Sequence, residues 1–138
     1  MNEVYITRRE TFNSAHRLFN PEWTDEKNMD VFGKCSNPNW HGHNYVLYVT
    51  VKGIPNAVTG FVMDLKQLSS MINELILEKV DHKNLNLDVS FMQGIMPTTE
   101  LFAKAIYHEL KDKVKDNGAS LHSIRLHETE NNFAEYFG

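Results

Sequence analysis

The segment from Cys35 to Tyr45, Cys-Ser-Asn-Pro-Asn-Trp-His-Gly-His-Asn-Tyr, constrains this chain more than any other feature of its sequence. Alternate side chains of a β-strand point to the same face, so His41 and His43 are predicted to share one face of a strand. Zinc accepts imidazole nitrogen, and a catalytic zinc site has three protein ligands and one open position. The pattern therefore predicts a metal site, with His16 as the candidate third ligand. The alternative is two exposed strand histidines and a structural His16 that bind no metal.

Length and composition restrict the class of protein. A chain of 138 residues is long enough for one domain with its own core, which we expect to span residues 1–138. The formal net charge is −4 and no basic stripe is present, so we expect no nucleic-acid partner. No apolar run approaches the ~20 residues that span a bilayer, and the N-terminus has no apolar signal region. We therefore expect a cytoplasmic protein without a membrane partner.

Hydrophobic periodicity predicts an α+β fold. Alternating apolar residues indicate strands, and apolar residues recurring every three to four positions indicate helices. The predicted elements are strands at 3–16 and 41–53, helices at 65–80 and 98–114, and a hairpin of strands at 120–128 and 132–137. The order ββααββ predicts an antiparallel four-stranded sheet with both helices on one face. The segment 17–40 shows no periodicity and is predicted to be a long irregular connection.

This sheet is predicted to be incomplete in a single chain. The second strand is apolar on both faces, whereas the helices cover only one face. Two sheet edges also remain without partners, and exposed edges are usually paired or protected. We therefore expect an oligomer in which subunits join their sheet edges, with a closed barrel as one outcome.

Three further positions are candidates for chemistry. Cys35 is the only cysteine, so it forms no internal disulfide. It is either an inert small apolar residue or a reactive loop thiol whose thiolate is favoured by a nearby cation. Asp81 and His82 follow a helix, where they form either a base-orienting pair or an ordinary polar helix end.

Glu128 is the most anomalous carboxylate. It continues the alternation of His122, Ile124 and Leu126, so it is predicted to share a face with apolar residues and to need hydrogen-bond donors. A ligand edge with two parallel N–H groups would supply them. The alternative is that the strand has already ended and Glu128 faces water. Asp64 is predicted to be the N-cap of the first helix, and Thr98 is predicted to begin the second.

Together these motifs resemble the family of 6-pyruvoyl-tetrahydropterin synthases and 6-carboxy-tetrahydropterin synthases. The resemblance covers essentially the whole chain. It rests on five ordered motifs: Phe12-Asn13-Ser14-Ala15-His16, Gly33-Lys34-Cys35 through His41-Gly42-His43-Asn44-Tyr45, Asp81-His82-Lys83-Asn84-Leu85, Pro97-Thr98-Thr99-Glu100, and Glu128-Thr129 with Asn131-Asn132.

The resemblance implies a tunnelling fold, in which trimers close a barrel and two trimers stack as a homohexamer. It implies the substrate 7,8-dihydroneopterin triphosphate and a Zn²⁺ ion bound by His16, His41 and His43. By the same resemblance, Cys35 is the proton-abstracting base, and Asp81 with His82 relays or returns the proton. The resemblance also implies that Glu128 binds the amino-pyrimidine edge of the substrate, with Thr99 and Glu100 beside it. The site would lie between subunits.

The resemblance leaves the product open. Cys35 precedes His41 by six residues. This spacing is similar to that of the pyruvoyl-forming enzymes, whereas many carboxy-forming relatives of queuosine biosynthesis have a shorter spacing. A third branch typically carries glutamate in place of Cys35. Trp40 departs from the small residue usual at its position. Rival interpretations from other classes are a non-catalytic pterin-binding or metal-binding module and a metal hydrolase.

Overall fold

The structure, a computed structural model, describes residues 2–138. Its strands are β1 (Val4–His16), β2 (His41–Gly53), β3 (Lys83–Asn84), β4 (Ser120–His127) and β5 (Phe133–Tyr136). Its α-helices are α1 (Asp25–Phe32), α2 (Leu65–Ile72), α3 (Glu78–Val80) and α4 (Thr99–Asp116). A π-helical turn, Asn73–Leu77, joins α2 to α3, and 3₁₀ turns occupy Gly33–Ser36 and Ser90–Met92. The α+β class is confirmed.

The predicted four-stranded antiparallel sheet is wrong. The sheet has five strands in the order β3-β1-β2-β4-β5. The added strand β3 is only two residues long and pairs in parallel with β1 at Ser14 and Ala15, so the sheet is mixed. Apolar periodicity cannot reveal a two-residue strand, because it contains no full repeat.

The segment 17–40 is more regular than predicted. It contains α1 and the 3₁₀ turn that carries Cys35. Thr24 is the N-cap of α1, since its side chain accepts a hydrogen bond from the Lys27 amide. Helix α1 buries only Asn28, which explains why the segment lacks an apolar stripe.

The core lies between the sheet and the helices on one of its faces. From β2 it takes the side chains in phase with His41 and His43, namely Tyr45, Leu47, Val49 and Val51. From α4 it takes Phe102, Ile106, Leu110 and Val114. The predicted N-caps are both confirmed, because Asp64 accepts a hydrogen bond from the Lys66 amide and Thr98 from the Leu101 amide. Within residues 2–138, no helix is long and apolar enough to cross a membrane.

Candidate metal centre and active site

The long β1–β2 ladder brings the three candidate metal ligands together. In its register His16 lies opposite His41, and Ser14 lies opposite His43. The ring centroids are 4.5 Å apart for His16 and His41, and 5.0 Å apart for each of the other two pairs. One ligand atom from each ring lies within 4.8 Å of the others, so the predicted clustering of these histidines is confirmed.

The protonation of the imidazoles suits the binding of a metal ion. Burial lowers the pKa of His16, with the neighbouring His41 and His43 acting in the same direction, and burial also lowers the pKa of His41. Neutral imidazoles have a free lone pair, which is the form that a metal ion requires. His16 Nδ1 lies 2.9 Å from the carbonyl oxygen of Pro97. Because a carbonyl only accepts, Nδ1 carries the proton and Nε2 presents its lone pair to the cluster.

Unpaired polar atoms converge on this cluster. Among residues 2–138, the buried side-chain nitrogen and oxygen atoms without a hydrogen-bond partner are His16 Nε2, both ring nitrogens of His41, His43 Nε2 and the Tyr45 hydroxyl. Buried polar groups in proteins are normally hydrogen-bonded, and each exception needs an explanation. Three imidazoles around one point are a donor set that can hold a metal ion, which would account for these unpaired nitrogens.

Cys35 lies beside the cluster. It lines a cavity of about 680 Å³ together with Met29, Lys34, Asn37, Pro38, His41 and His43. Two hydrogen bonds attach its 3₁₀ turn to the end of β1: the Leu18 amide donates to the Cys35 carbonyl, and Arg17 Nε donates to the Ser36 carbonyl. The prediction that Cys35 shares a site with the histidines is thus supported by geometry.

The expectation of a favoured thiolate is not met by the protein groups alone. Burial raises the pKa of Cys35, and the negative charge of Glu128 raises it further. Lys34 lines the same cavity, but its charge does not reverse that shift. A thiolate at Cys35 therefore needs the positive charge of a cation bound by the histidines.

Glu128 reaches the cluster from the end of β4. The strand ends at His127, yet the Glu128 side chain is only 20% exposed, so it does not simply face water. Its Oε2 accepts a hydrogen bond of 2.7 Å from the Thr99 hydroxyl, and its Oε1 lies 3.7 Å from His43 Nε2. The alternation that pointed to Glu128 is broken at His122, which has no partner in the β2–β4 register because of a bulge.

Asp81 and His82 lie elsewhere in the same chain. They line a separate depression of about 330 Å³ with Thr11, Phe12, Asn13 and Asn44. The Asp81 carboxylate accepts a hydrogen bond from the Asn13 amide, which lowers its pKa, and its Oδ1 lies 3.0 Å from His82 Nδ1. The His82 ring is 79% exposed. The two side chains contact each other, and in one chain they line a different depression from the cavity that Cys35 lines.

Two positions beside the candidate site have unusual backbone conformations. Trp40 and His82 adopt φ values of 67° and 58°, in the left-handed region that favours glycine. The first directly precedes His41, which gives a physical reason why a small residue suits that position. Such conformations cost free energy and concentrate at functional sites. Glu100 is exposed in the first turn of α4, where a negative charge stabilises the helix; its binding role stays a prediction.

Comparison with known proteins agrees with this geometry. The sequence model of the 6-pyruvoyl tetrahydropterin synthase family matches residues 5–138. The chain belongs to this family. A 6-pyruvoyl tetrahydrobiopterin synthase from Pongo abelii is 43% identical over 136 residues, covering 99% of this chain and 92% of the relative. A 6-carboxy-5,6,7,8-tetrahydropterin synthase from Haemophilus influenzae is 30% identical over 152 residues, covering 95% and 96%.

Solved structures support the same family assignment. The structure of Caenorhabditis elegans 6-pyruvoyl tetrahydropterin synthase superimposes with a TM-score of 0.91 at 36% identity, covering 100% of this chain and 97% of that one. Both the suspected family and its α+β fold are therefore confirmed for this chain.

Sequence reasoning missed two contributors to the site. The Pro97 carbonyl fixes the proton of His16, but a backbone group leaves no signal in a sequence pattern. Tyr45 lies on the histidine face of β2, and its hydroxyl joins the unpaired atoms of the cluster. Its spacing of two residues from His43 is the signal that points to it.

Proposed function

We propose that this chain is a lyase that converts 7,8-dihydroneopterin triphosphate to 6-pyruvoyl-tetrahydropterin with release of triphosphate. The observation that carries the proposal is that three imidazoles converge on one point and that Cys35 lines a cavity with two of them, His41 and His43. The identities of 43% to a pyruvoyl-forming relative and 30% to a carboxy-forming one favour the pyruvoyl product. The family match over residues 5–138 supports a single catalytic domain.

We further propose that His16, His41 and His43 hold a Zn²⁺ ion. The donor set fits, because burial lowers the pKa of His16 and His41, and because His16 Nε2, both His41 ring nitrogens and His43 Nε2 are buried without a hydrogen-bond partner among residues 2–138. When bound, zinc supplies a Lewis acid that holds hydroxyl oxygens and lowers their pKa, and its charge favours the Cys35 thiolate.

The side chains of the protein would have the other roles in the reaction. Glu128, oriented by the Thr99 hydroxyl, accepts two N–H groups of the amino-pyrimidine edge, and Glu100 lies near this pocket. The Cys35 sulfur takes a proton from a side-chain carbon of the substrate, and Asp81 with His82 of a neighbouring subunit returns it. Triphosphate leaves with the electrons of its C–O bond. The ring gains the two hydrogens that the side chain loses, so the reaction needs no external reductant.

The product identifies the reaction. We expect mass spectrometry to detect 6-pyruvoyl-tetrahydropterin after incubation of the zinc-loaded protein with 7,8-dihydroneopterin triphosphate, and no product after chelation of the metal. A 6-carboxy-tetrahydropterin product with acetaldehyde would contradict the product assignment and move the chain to the queuosine branch. Tight pterin binding without any product would instead support a binding module.

The proposed assembly is a homohexamer built from two trimers. Asp81 and His82 lie away from Cys35 in one chain, so the site needs a second subunit to be complete. Within residues 2–138, β3 covers β1 only at Ser14 and Ala15, which leaves most of that sheet edge free to pair with another chain.

Light scattering coupled to size-exclusion chromatography tests this assembly. Six chains of 16.0 kDa predict a particle of about 96 kDa. A stable and active monomer would contradict the intersubunit site.

A further inference from the structure

Tyr45 combines a core aromatic ring with an unexplained hydroxyl. The residue is fully buried, and its ring stacks on Phe12 with centroids 5.0 Å apart and planes at 12°. It also makes an edge contact with Phe102 at 5.5 Å. A phenylalanine would make these contacts equally well, so packing explains the ring but not the oxygen.

The hydroxyl has no partner within the part of the chain that the structure describes. It is buried and without a hydrogen bond among residues 2–138. Transfer of a hydroxyl from water to such a position costs free energy unless a hydrogen bond replaces the lost water. Tyr107 provides a contrast, because its hydroxyl donates to the Leu121 carbonyl at 3.3 Å.

The Tyr45 ring lies next to the histidine cluster. The Tyr45 ring is 5.8 Å from the His43 ring and 6.3 Å from the His16 ring. Burial raises the pKa of Tyr45, and the charges of Glu128 and Cys35 raise it further, so the oxygen is within electrostatic range of both groups. Cys35 and Glu128 each line a cavity that His43 also lines.

We propose that the Tyr45 hydroxyl donates a hydrogen bond to a side-chain hydroxyl oxygen of the bound substrate. The ligand class is a pterin whose side chain carries neighbouring hydroxyl groups. A metal ion held by the histidine cluster would bind those hydroxyls. The Tyr45 phenol is a neutral hydrogen-bond donor beside this cluster. This inference rests on the proposed function and adds a specificity-determining residue to it.

The test compares Tyr45→Phe with Tyr107→Phe in the zinc-loaded, assembled protein. The binding probe is 7,8-dihydroneopterin, which has the hydroxylated side chain but lacks the triphosphate and cannot eliminate it. For Tyr45→Phe we expect the calorimetric Kd of this probe to rise about tenfold, because one hydrogen bond is lost in the complex. Zinc content should stay at the wild-type level, and kcat/KM for the triphosphate should fall by a similar factor.

Thermal unfolding without substrate separates this role from a structural one. An oxygen with no partner in the free protein predicts that Tyr45→Phe leaves Tm unchanged or raises it. Tyr107→Phe, which removes a formed hydrogen bond, should lower Tm by about 3 °C and leave the probe affinity unchanged.

Two results would overturn the inference alone. One is an active Tyr45→Phe protein with wild-type probe affinity; the other is a fall in its Tm like that of Tyr107→Phe, which would show a partner in the free protein. If the wild-type protein neither binds the probe nor converts the triphosphate, the proposed function fails, and this inference fails with it.

Discussion

Replacement of Cys35 by alanine is expected to reduce kcat by about 10²–10⁴, the range that a positioned acid–base group contributes. The thiol shares its cavity with His41 and His43, and it is the group there that can take a carbon-bound proton. Zinc content and Tm should remain at the wild-type level, because the 3₁₀ turn is fixed by backbone hydrogen bonds rather than by the sulfur. Steady-state kinetics with metal analysis of the same sample measures both effects.

A matched control is available close by. Asn39 is exposed on the loop between the thiol and the histidines, and Asn39→Ala should keep full turnover. Because Cys35 is the only cysteine, alkylation modifies a single site and should abolish activity in proportion to the thiol consumed. Full activity of Cys35→Ala would remove this residue from the mechanism.

The sequence predicted the parts of the fold that have a period. Strand β2 begins at His41 and ends at Gly53 as expected, and Asp64 and Thr98 cap their helices as expected. In each case a local rule agrees with the tertiary structure, since alternation, helical spacing and capping are all short-range signals.

The parts without a period were not predictable in the same way. Strand β3 is too short to show alternation, and its pairing with β1 depends on contacts distant in sequence. Helix α1 buries little, so it leaves no apolar stripe. His122 was placed in phase with Glu128 because a bulge in the β2–β4 register cannot be read from one strand.

The candidate site also has features that a sequence pattern predicts and features that it does not. His41 and His43 are fixed by alternation within one strand, and His16 joins them because the antiparallel register sets it opposite His41. The proton of His16, by contrast, is set by a carbonyl 81 positions away in the chain. In the proposed function, the role of Asp81 and His82 depends on a second subunit, which no pattern within one chain specifies.

His16→Ala is expected to remove bound zinc and, with it, activity. Structural and catalytic zinc sites need at least three protein ligands, and His16 is the fully buried member of this set. We expect zinc content to fall from about one ion per chain to near zero, and kcat/KM to fall by about 10² or more. The stabilisation that zinc gives the folded state should also be lost, so added zinc should no longer raise Tm.

The control for His16→Ala is another histidine of the same chain. His108 lies exposed on α4 and outside the cluster, so His108→Ala should keep its zinc and its turnover. Metal analysis after gel filtration, together with unfolding curves with and without added zinc, distinguishes the two variants.

A His16→Ala protein that retains one zinc per chain would contradict the three-histidine site. Loss of zinc from both variants would indicate instead that general destabilisation, and not a missing ligand, releases the ion. The comparison is sharp because the two substitutions remove the same side chain, and only one of them removes a buried imidazole nitrogen that has no other partner among residues 2–138.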